Sequence, residues 1–288
     1  MRNRIFAILC FLAIGSFFST TAFSHSSTDL AAIEASSVPD AVAKISSMLE
    51  RKGYEIVLAV DHAAGAASVG LELEPTQVIF ARPPHFVERR LLDRRNTIGI
   101  DLPQKFLVFE RDGEINITVN SLGYLIDRHD IPVRDRMLRL IDSTNEKFSA
   151  TAKGLVTVES LQSVEDTVNS LQAAIMSNPA FRIPLVLDYG AKKNKYRDAV
   201  NTKGPVLIVF GNPNAGTPLM QATQNIGIDL PQKFLVWQDK SDKVFITYND
   251  PVFLAARHNV EGQDARLKAI AEALLNFALI GANQTPTP

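Results

Sequence analysis

Apolar positions along the second half of the chain follow two different periods, which predicts a mixture of helices and strands. Residues 163–177 repeat apolar side chains at helical spacing, with Ser163 as a candidate N-cap. Residues 183–187 and 206–210 are short apolar runs, as expected of buried strands. The other elements predicted here are a strand at 155–159, a hairpin at 233–238 and 244–248, a short helix at 253–258 and a long helix at 261–280.

The first half of the chain predicts the same order of elements. These are a helix at 39–50, strands at 54–60 and 77–80, a hairpin at 105–110 and 114–119, and a closing helix at 134–148 before a polar linker at 149–153. Short strands and hairpins that alternate with helices are typical of the α+β class. The pattern predicts a two-layer α/β sandwich repeated twice, each copy having an antiparallel sheet with helices on one face.

An internal repeat supports this duplication directly. The segment IGIDLPQKFLV occurs at 98–108 and again, without a change, at 226–236. Three shorter blocks align around it, namely 78–80 with 208–210, 117–120 with 246–249, and 128–129 with 257–258. We therefore expect two diverged copies, residues 25–150 and 151–288, that pack as a pseudo-dimer within one chain.

Residues 1–24 have the features of a secretory signal peptide. Arg2 and Arg4 precede an apolar stretch at 5–18, and small residues follow at Ala22 and Ser24. An uncleaved membrane anchor is the alternative, although a bilayer span takes about 20 apolar residues. We expect cleavage near Ser24, a periplasmic or secreted protein, and no membrane span after cleavage.

Composition narrows the function classes. The 30 basic and 31 acidic side chains leave no basic excess, so we expect no nucleic-acid partner. The single cysteine, Cys10, lies within the signal segment, which removes disulfides and thiolate ligands from the mature chain. The arginine-rich run at 82–95 has two interpretations: a solvated helix face compensated by Glu88 and Asp93, or an anion site.

The repeated segment itself also has two interpretations. Asp101 and Asp229 can form turns by bonding backbone amides, with the following prolines setting the entry of an edge strand. Alternatively, each aspartate and the nearby Lys105 or Lys233 form an Asp–Lys pair that lines a cleft. A repeated turn needs no ligand to explain it.

Four blocks together resemble the domain of unknown function 302 family. They are GYEIVLAVDHAAGAASVGLELEPTQVIF at 53–80, FGNPNAGTPLMQ at 210–221, IGIDLPQKFLV in both copies and ITYNDPVFLAARH at 246–258. The resemblance covers nearly all of the mature chain as a tandem pair. It implies a fold like that of the TATA-box-binding-protein superfamily and no established chemistry, and a shared fold does not bring DNA binding with it.

Each copy keeps a different part of the family pattern. The Asp-His pair at 61–62 is Asp-Tyr at 188–189, and the Gly-Asn-Pro turn at 211–213 is Ala-Arg-Pro at 81–83. Either both copies contribute to one composite site, or two scaffolds have drifted. The candidate ligand-binding residues are Asp61, His62, Asp101, Lys105, Arg128, His129, Gly211, Asn212, Pro213, Asp229, Lys233, Arg257 and His258.

Histidine is the residue type best suited to chemistry in this chain. His62 follows a strand and an aspartate, and either Asp61 or a backbone carbonyl could orient its ring, so it is the candidate acid–base group or metal ligand. No HExxH, P-loop or nucleophile-elbow motif occurs, and no cofactor is indicated. We expect a protein that binds a small ligand or another protein. The alternatives are an acid–base or metal-binding enzyme centred on His62 and Asp61, and a structural envelope protein.

Overall fold

A computed structural model describes Leu30 and residues 33–131, 153–191 and 204–285. The first repeat contains helices α1 (Val38–Arg51), α2 (His62–Ala67), α3 (His85–Leu92) and α4 (Leu122–Arg128), and strands β1 (Glu55–Asp61), β2 (Thr76–Arg82), β3 (Gln104–Arg111) and β4 (Glu114–Val119). The second contains strands β5 (Leu155–Ser160), β6 (Arg182–Asp188), β7 (Val206–Gly211), β8 (Gln232–Gln238) and β9 (Val244–Asn249), and helices α5 (Val164–Met176), α6 (Pro213–Ala222), α7 (Pro251–Arg257) and α8 (Asp264–Gly281). The predicted closing helix at 134–148 and most of the linker lie outside the described residues.

Two antiparallel sheets confirm the predicted α+β class and its duplication. The strand order is β1-β2-β3-β4 in the first sheet and β5-β9-β8-β7-β6 in the second. The strands of the repeated segment, β3 and β8, are therefore interior strands, and the expectation of an edge strand is wrong. Pro103 and Pro231 are compatible with this position because each lies just before its strand, where the sheet needs no N–H from it.

Helices cover the outer face of each sheet, and the inner faces meet. Helix α1 packs on apolar side chains of β2 and β3, while α5 and α8 pack on those of the second sheet. Successive side chains of a strand point to opposite faces of its sheet. Those that point away from the helices form one core shared by both sheets. The two repeats are thus held together by a continuous apolar interior.

Local sequence explains several element boundaries. Ser163 caps α5 as predicted, since its side chain accepts a hydrogen bond from the amide of Asp166. The hairpin between β3 and β4 turns at Asp112 and Gly113, which both have positive φ (55° and 77°), as two-residue hairpin turns require.

The glycine of each IGID segment allows the repeats to approach closely. Each lies in a short 3₁₀ helix, Asn96–Ile100 or Gln224–Ile228. A Cβ placed on Gly99 would lie 2.9 Å from Leu235 Cδ1, and one on Gly227 would lie 3.0 Å from Leu107 Cδ1. The contact is reciprocal, as a pseudo-two-fold arrangement demands. The repeated segment therefore lies at the interface between the copies, where each glycine packs against a leucine of the other repeat.

Candidate functional site

A buried carboxylate organises the end of the first repeat. Asp101 Oδ2 accepts hydrogen bonds from Arg128 Nη1 at 2.7 Å and lies 2.8 Å from His129 Nε2. His129 ends α4, and its side chain binds this aspartate. Asp101 therefore binds side chains, and its interpretation as a turn former is wrong.

The second repeat builds the same cluster around Asp229. Its Oδ2 accepts a hydrogen bond from Arg257 Nη1 at 2.7 Å and lies 2.8 Å from His258 Nε2. Three aligned residue types thus have the same role in both copies, and their equivalence was visible in the sequence as a repeated Asp and a repeated Arg-His.

The two arginines also cross from one repeat to the other. Arg128 Nη2 donates to Asn249 Oδ1 at 2.7 Å, and Arg257 Nη2 donates to Asn120 Oδ1 at 2.7 Å. Each asparagine lies at the end of the hairpin in the opposite copy. The clusters are therefore joined across the repeats into one network.

Equivalent lysines behave differently within this network. Lys105 Nζ lies 2.9 Å from Asp229 Oδ1 of the other repeat and 3.5 Å from Asp101 Oδ1. Lys233 Nζ instead donates to the backbone carbonyls of Asp229, at 2.8 Å, and Pro231, at 3.3 Å. One ammonium therefore bridges both carboxylates, which breaks the symmetry of the duplication.

Electrostatics explains this asymmetry. Burial alone would raise the pKa of Asp101, but Arg128, His129 and Lys105 together outweigh it and hold that pKa well below its usual range. Burial opposes ionisation of Asp229 as well, yet Lys105 and Arg257 keep its pKa low. Burial and the nearby charge of Lys105 lower the pKa of Lys233 far below its ordinary value, in keeping with an amine that contacts backbone carbonyls and not a carboxylate.

The network is mostly buried, although Arg257 keeps 18% of its side chain exposed. Its carboxylate, lysine, asparagine and first-repeat arginine side chains are fully buried. None of its members lines the cavity described next. The structure therefore places eight of the predicted ligand-binding residues in the contact between repeats: Asp101, Lys105, Arg128, His129, Asp229, Lys233, Arg257 and His258.

A cavity of about 770 Å³ lies where the two repeats meet. Strand β1 and helix α2 of the first repeat form one wall, and β6, α6 and α8 of the second form the others. Its lining includes both halves of the divided motif set, Asp61, His62, Gly211, Asn212 and Pro213. The structure thus brings together the residues that a composite site would need.

Two of these motif residues cap helices at the rim. Asp61 Oδ1 accepts from the amide of Ala64 at 2.8 Å, and its Oδ2 accepts from Gln77 Nε2 at 2.9 Å. Asn212 Oδ1 accepts from the amide of Asn214 at 3.0 Å. Of the two groups expected to orient the ring of His62, Asp61 makes these bonds instead, and the ring contacts a backbone carbonyl.

His62 binds the other repeat. Its Nε2 lies 3.2 Å from the carbonyl oxygen of Gly227, and burial lowers its pKa to about 4, which keeps the ring neutral at pH 7. Tyr189 occupies the matching place, where its hydroxyl donates to the carbonyls of Gly99 at 2.8 Å and Leu102 at 2.5 Å. Histidine and tyrosine thus make the same contact in the two copies. The residue type differs, but the hydrogen bond to the glycine carbonyl of the other repeat is kept.

The arginine-rich run forms an internal ion pair at its start. Arg82 Nε and Nη2 donate to the two carboxylate oxygens of Glu88 at 2.8 and 2.7 Å, and Glu88 is fully buried. Arg89 and Asp93 face solvent. The helix face is therefore only partly solvated, and Arg82 does not offer its guanidinium to an external anion.

Helix α8 supplies a wall that sequence reasoning missed. Ala265, Ala269 and Ala273 recur every fourth residue and face the cavity together with Ile270 and Phe277. Their spacing is visible in the sequence, but small residues on a helix usually indicate close packing against a neighbour. Only the placement of the first repeat shows that this face borders open space.

Metal ligands are not clustered in the part of the chain that the structure describes. Within it, no group of three or more His, Cys, Asp or Glu residues could hold a metal ion. In the same ranges, no helix is both long enough and apolar enough to cross a membrane.

The fold and its paired clusters define a tandem α+β protein whose two copies share one interface. Residues 31–144 and 156–277 each match the family described as Domain of unknown function DUF302. The chain therefore belongs to this family, with two copies of its domain.

Several known proteins are similar to the chain. The fluoride-specific ion channels FluC 1 of Brucella suis biovar 1 (strain 1330) and FluC 1 of Brucella abortus biovar 1 (strain 9-941) are each 41% identical to it over 118 residues, which is 41% of this chain and 45% or 43% of theirs. The chain thus spans less than half the length of these curated relatives. The crystal structure of an uncharacterized conserved DUF302 protein from Bacillus stearothermophilus is 18% identical, with a TM-score of 0.38, and covers 44% of this chain and 97% of its own.

Proposed function

We propose that the protein binds a small, mainly apolar molecule in the cavity between its repeats. The observation that carries this proposal is the cavity itself, about 770 Å³ in volume and walled largely by apolar side chains of both copies. Binding pockets for small molecules have this character, with volumes of about 300–1,000 Å³ and few polar groups. A closed interface between two copies of one domain would need no such space.

The energetics of the wall also support binding. At ~30 Å³ per water in the liquid, the cavity has the volume of about 25 waters, enough for a drug-sized organic molecule. Each Å² of apolar surface that a ligand and the wall remove from water contributes about 25 cal/mol. Phe181 and Phe277, which meet edge to face, are among the apolar side chains that line the cavity.

An enzyme centred on His62 and Asp61 has less support. The Nε2 of His62 is engaged by the carbonyl of Gly227, and the Asp61 carboxylate by an amide and Gln77. His62 also has a counterpart of equal role in the second repeat, Tyr189. These contacts favour a structural role for the pair at the cavity rim.

Export is part of the same proposal. Residues 1–24 would be removed as a signal peptide, leaving repeats 25–150 and 151–288 in the periplasm or outside the cell. The support is the basic start and apolar stretch of the first residues. Intact-mass measurement of the protein from an envelope fraction should give a chain that begins at His25. A full-length mass from that fraction would contradict cleavage.

The binding proposal is tested with N-phenyl-1-naphthylamine, a neutral apolar probe whose fluorescence rises in apolar sites. We expect saturable binding of one probe per chain. Ala273→Phe fills the cavity from α8 and should weaken binding at least tenfold. Asn276→Phe is the matched control because Asn276 is exposed on the same helix, and it should bind as the unmodified protein does. Equal affinity in all three proteins, or no binding, would contradict the proposal.

A further inference from the structure

We propose that the ligand is an amphiphile with one anionic headgroup and an apolar chain, as in a fatty acid anion, and that Arg182 and Arg266 bind the headgroup. The inference rests on the proposed function and adds the charge and the orientation of the ligand. It is carried by two guanidinium groups in the lining of a mainly apolar cavity.

Both arginines lie at the end of the cavity where α6 begins. Arg182 opens β6 and pairs in register with Gly211, the last residue of β7. Arg266 lies in the first turn of α8, and its Nη1 donates to the carbonyl of Asn214 at 3.0 Å. Gly211 and Asn214 flank the start of α6, so the two positive charges are located at the same end of the cavity.

The other contacts of the two guanidinium groups are with neutral groups. Arg266 Nε donates to Gln263 Oε1 at 3.1 Å. Arg182 Nη1 donates to the carbonyls of Pro179 and Phe181. Within the part of the chain that the structure describes, neither arginine forms an ion pair with a carboxylate. A guanidinium has five N–H donors and stays charged, so each of these groups can bind an anion as well.

Both groups are accessible to a ligand, because Arg182 is exposed and Arg266 is partly exposed. The third charged residue of the lining is Asp61, whose two oxygens already accept hydrogen bonds from an amide and from Gln77. The lining thus has two positive groups without a counter-charge and one negative group with its own donors. This balance favours an anionic ligand over a cationic one.

Helix α8 continues from Arg266 as an apolar stripe that suits the chain of such a ligand. Ala269 and Ile270 follow one turn later and Ala273 two turns later, and all three line the cavity with exposed or partly exposed side chains. At 1.5 Å per residue, Ala273 lies about 10 Å along the helix axis from Arg266. An alkyl chain whose headgroup binds Arg266 can therefore lie along this stripe.

Three probes with the same alkyl chain test the inference: decanoate, 1-decanol and decyltrimethylammonium, each used to displace N-phenyl-1-naphthylamine at pH 7. Decanoate should bind about tenfold more tightly than decanol, because hydrogen bonds to charged groups are stronger than those to neutral groups. It should also bind more tightly than the cation.

Variants connect this preference to the two arginines. The double variant Arg182→Gln/Arg266→Gln should bind decanoate and decanol about equally, and Arg182→Gln alone should reduce the preference. Lys268→Gln is the matched control, since it also removes one positive charge from α8 but lies outside the lining, and it should keep the preference. Thermal melting checks that each variant folds, and Arg182→Gln, at an exposed position, serves if the double variant does not.

The outcomes separate this inference from the proposed function. Equal affinity for decanoate and decanol, or no displacement by any of the three, would overturn the inference. Tightest binding of the ammonium compound would overturn it in favour of a cationic ligand. An unchanged preference in the arginine variants, or an equal loss in Lys268→Gln, would show that these arginines do not bind the headgroup. Failure of the naphthylamine itself to bind would instead contradict the proposed function.

Discussion

Lys105 and Lys233 show how identical residues acquire different roles after duplication. They occupy the same place in the repeated segment, yet Lys105 bridges two carboxylates and Lys233 hydrogen-bonds to backbone carbonyls. A site this small favours a single ammonium because two buried like charges repel each other. The sequence identified these lysines and their aspartates as neighbours, but it could not show which carboxylate each lysine meets.

Substitution of the two lysines should therefore have unequal effects. Lys105→Met leaves two buried carboxylates without their bridge, and we expect it to lower the free energy of unfolding by about 3 kcal/mol or more. Lys233→Met removes an amine that hydrogen-bonds only to backbone carbonyls, and it should cost about 1 kcal/mol. Urea denaturation at pH 7 measures both values. Equal costs for the two variants would contradict the different roles of the two lysines.

His62 predicts a pH dependence of stability. Its pKa in the folded protein, about 4, lies below the ordinary value of 6.5, so the unfolded chain binds a proton over that interval and the folded chain does not. The stability contributed by neutral His62 is present above pH 6.5 and is lost as the pH falls toward 4, by up to about 3 kcal/mol.

The variant His62→Gln isolates this effect because glutamine can donate to the Gly227 carbonyl and does not titrate. Its stability should fall less than that of the unmodified protein between pH 7 and pH 4.5, as measured by urea denaturation across that range. His85→Gln, at an exposed histidine, is the control and should follow the unmodified protein. Identical pH profiles in all three proteins would show that His62 is not buried in its neutral form.

At the level of elements, periodicity predicted the long helices and the hairpins but missed α2 and α6. Helix α2 has the sequence HAAGAA, which lacks an amphipathic pattern, and α6 contains a glycine and an internal proline. Both form because a capping side chain starts them and packing between repeats sustains them, α2 lying against α6. Tertiary contacts of this kind leave no period in the sequence.

Two glycines should respond in opposite directions to the same substitution. Gly99→Ala places a methyl group 2.9 Å from Leu235 Cδ1 and should destabilise the protein by about 1–3 kcal/mol. Gly216→Ala lies within α6, where its Cβ would meet Leu230 Cδ1 at 3.5 Å, and it should stabilise by up to about 1 kcal/mol. Thermal melting distinguishes these outcomes, and a loss of stability in both variants would contradict the packing described.

At the level of the whole molecule, the sequence revealed a duplication but not what the duplication encloses. Repeated blocks predicted two packed copies, and the divided motifs suggested that both copies contribute to one place. The cavity depends on the spacing of α8 from the first repeat, and no single segment determines that distance. Its existence could be hypothesised from residues 61–62 and 211–213, whereas its volume and apolar wall could not.

The shared core predicts that both repeats unfold together. Apolar residues of both sheets form one cluster, and the arginines and Lys105 cross between copies. Scanning calorimetry should therefore show one transition whose calorimetric and van't Hoff enthalpies agree. Two separate transitions would mean that the repeats are independent domains, and the cavity between them would then lack a rigid frame.

The central claim, that the two copies enclose a binding site for an apolar molecule, is tested most directly by a crystal structure of the protein with N-phenyl-1-naphthylamine. We predict electron density for one probe between α8 and His62, in contact with side chains of both repeats. Density for the probe only on the outer surface, or a cavity filled by the protein's own side chains, would contradict the claim.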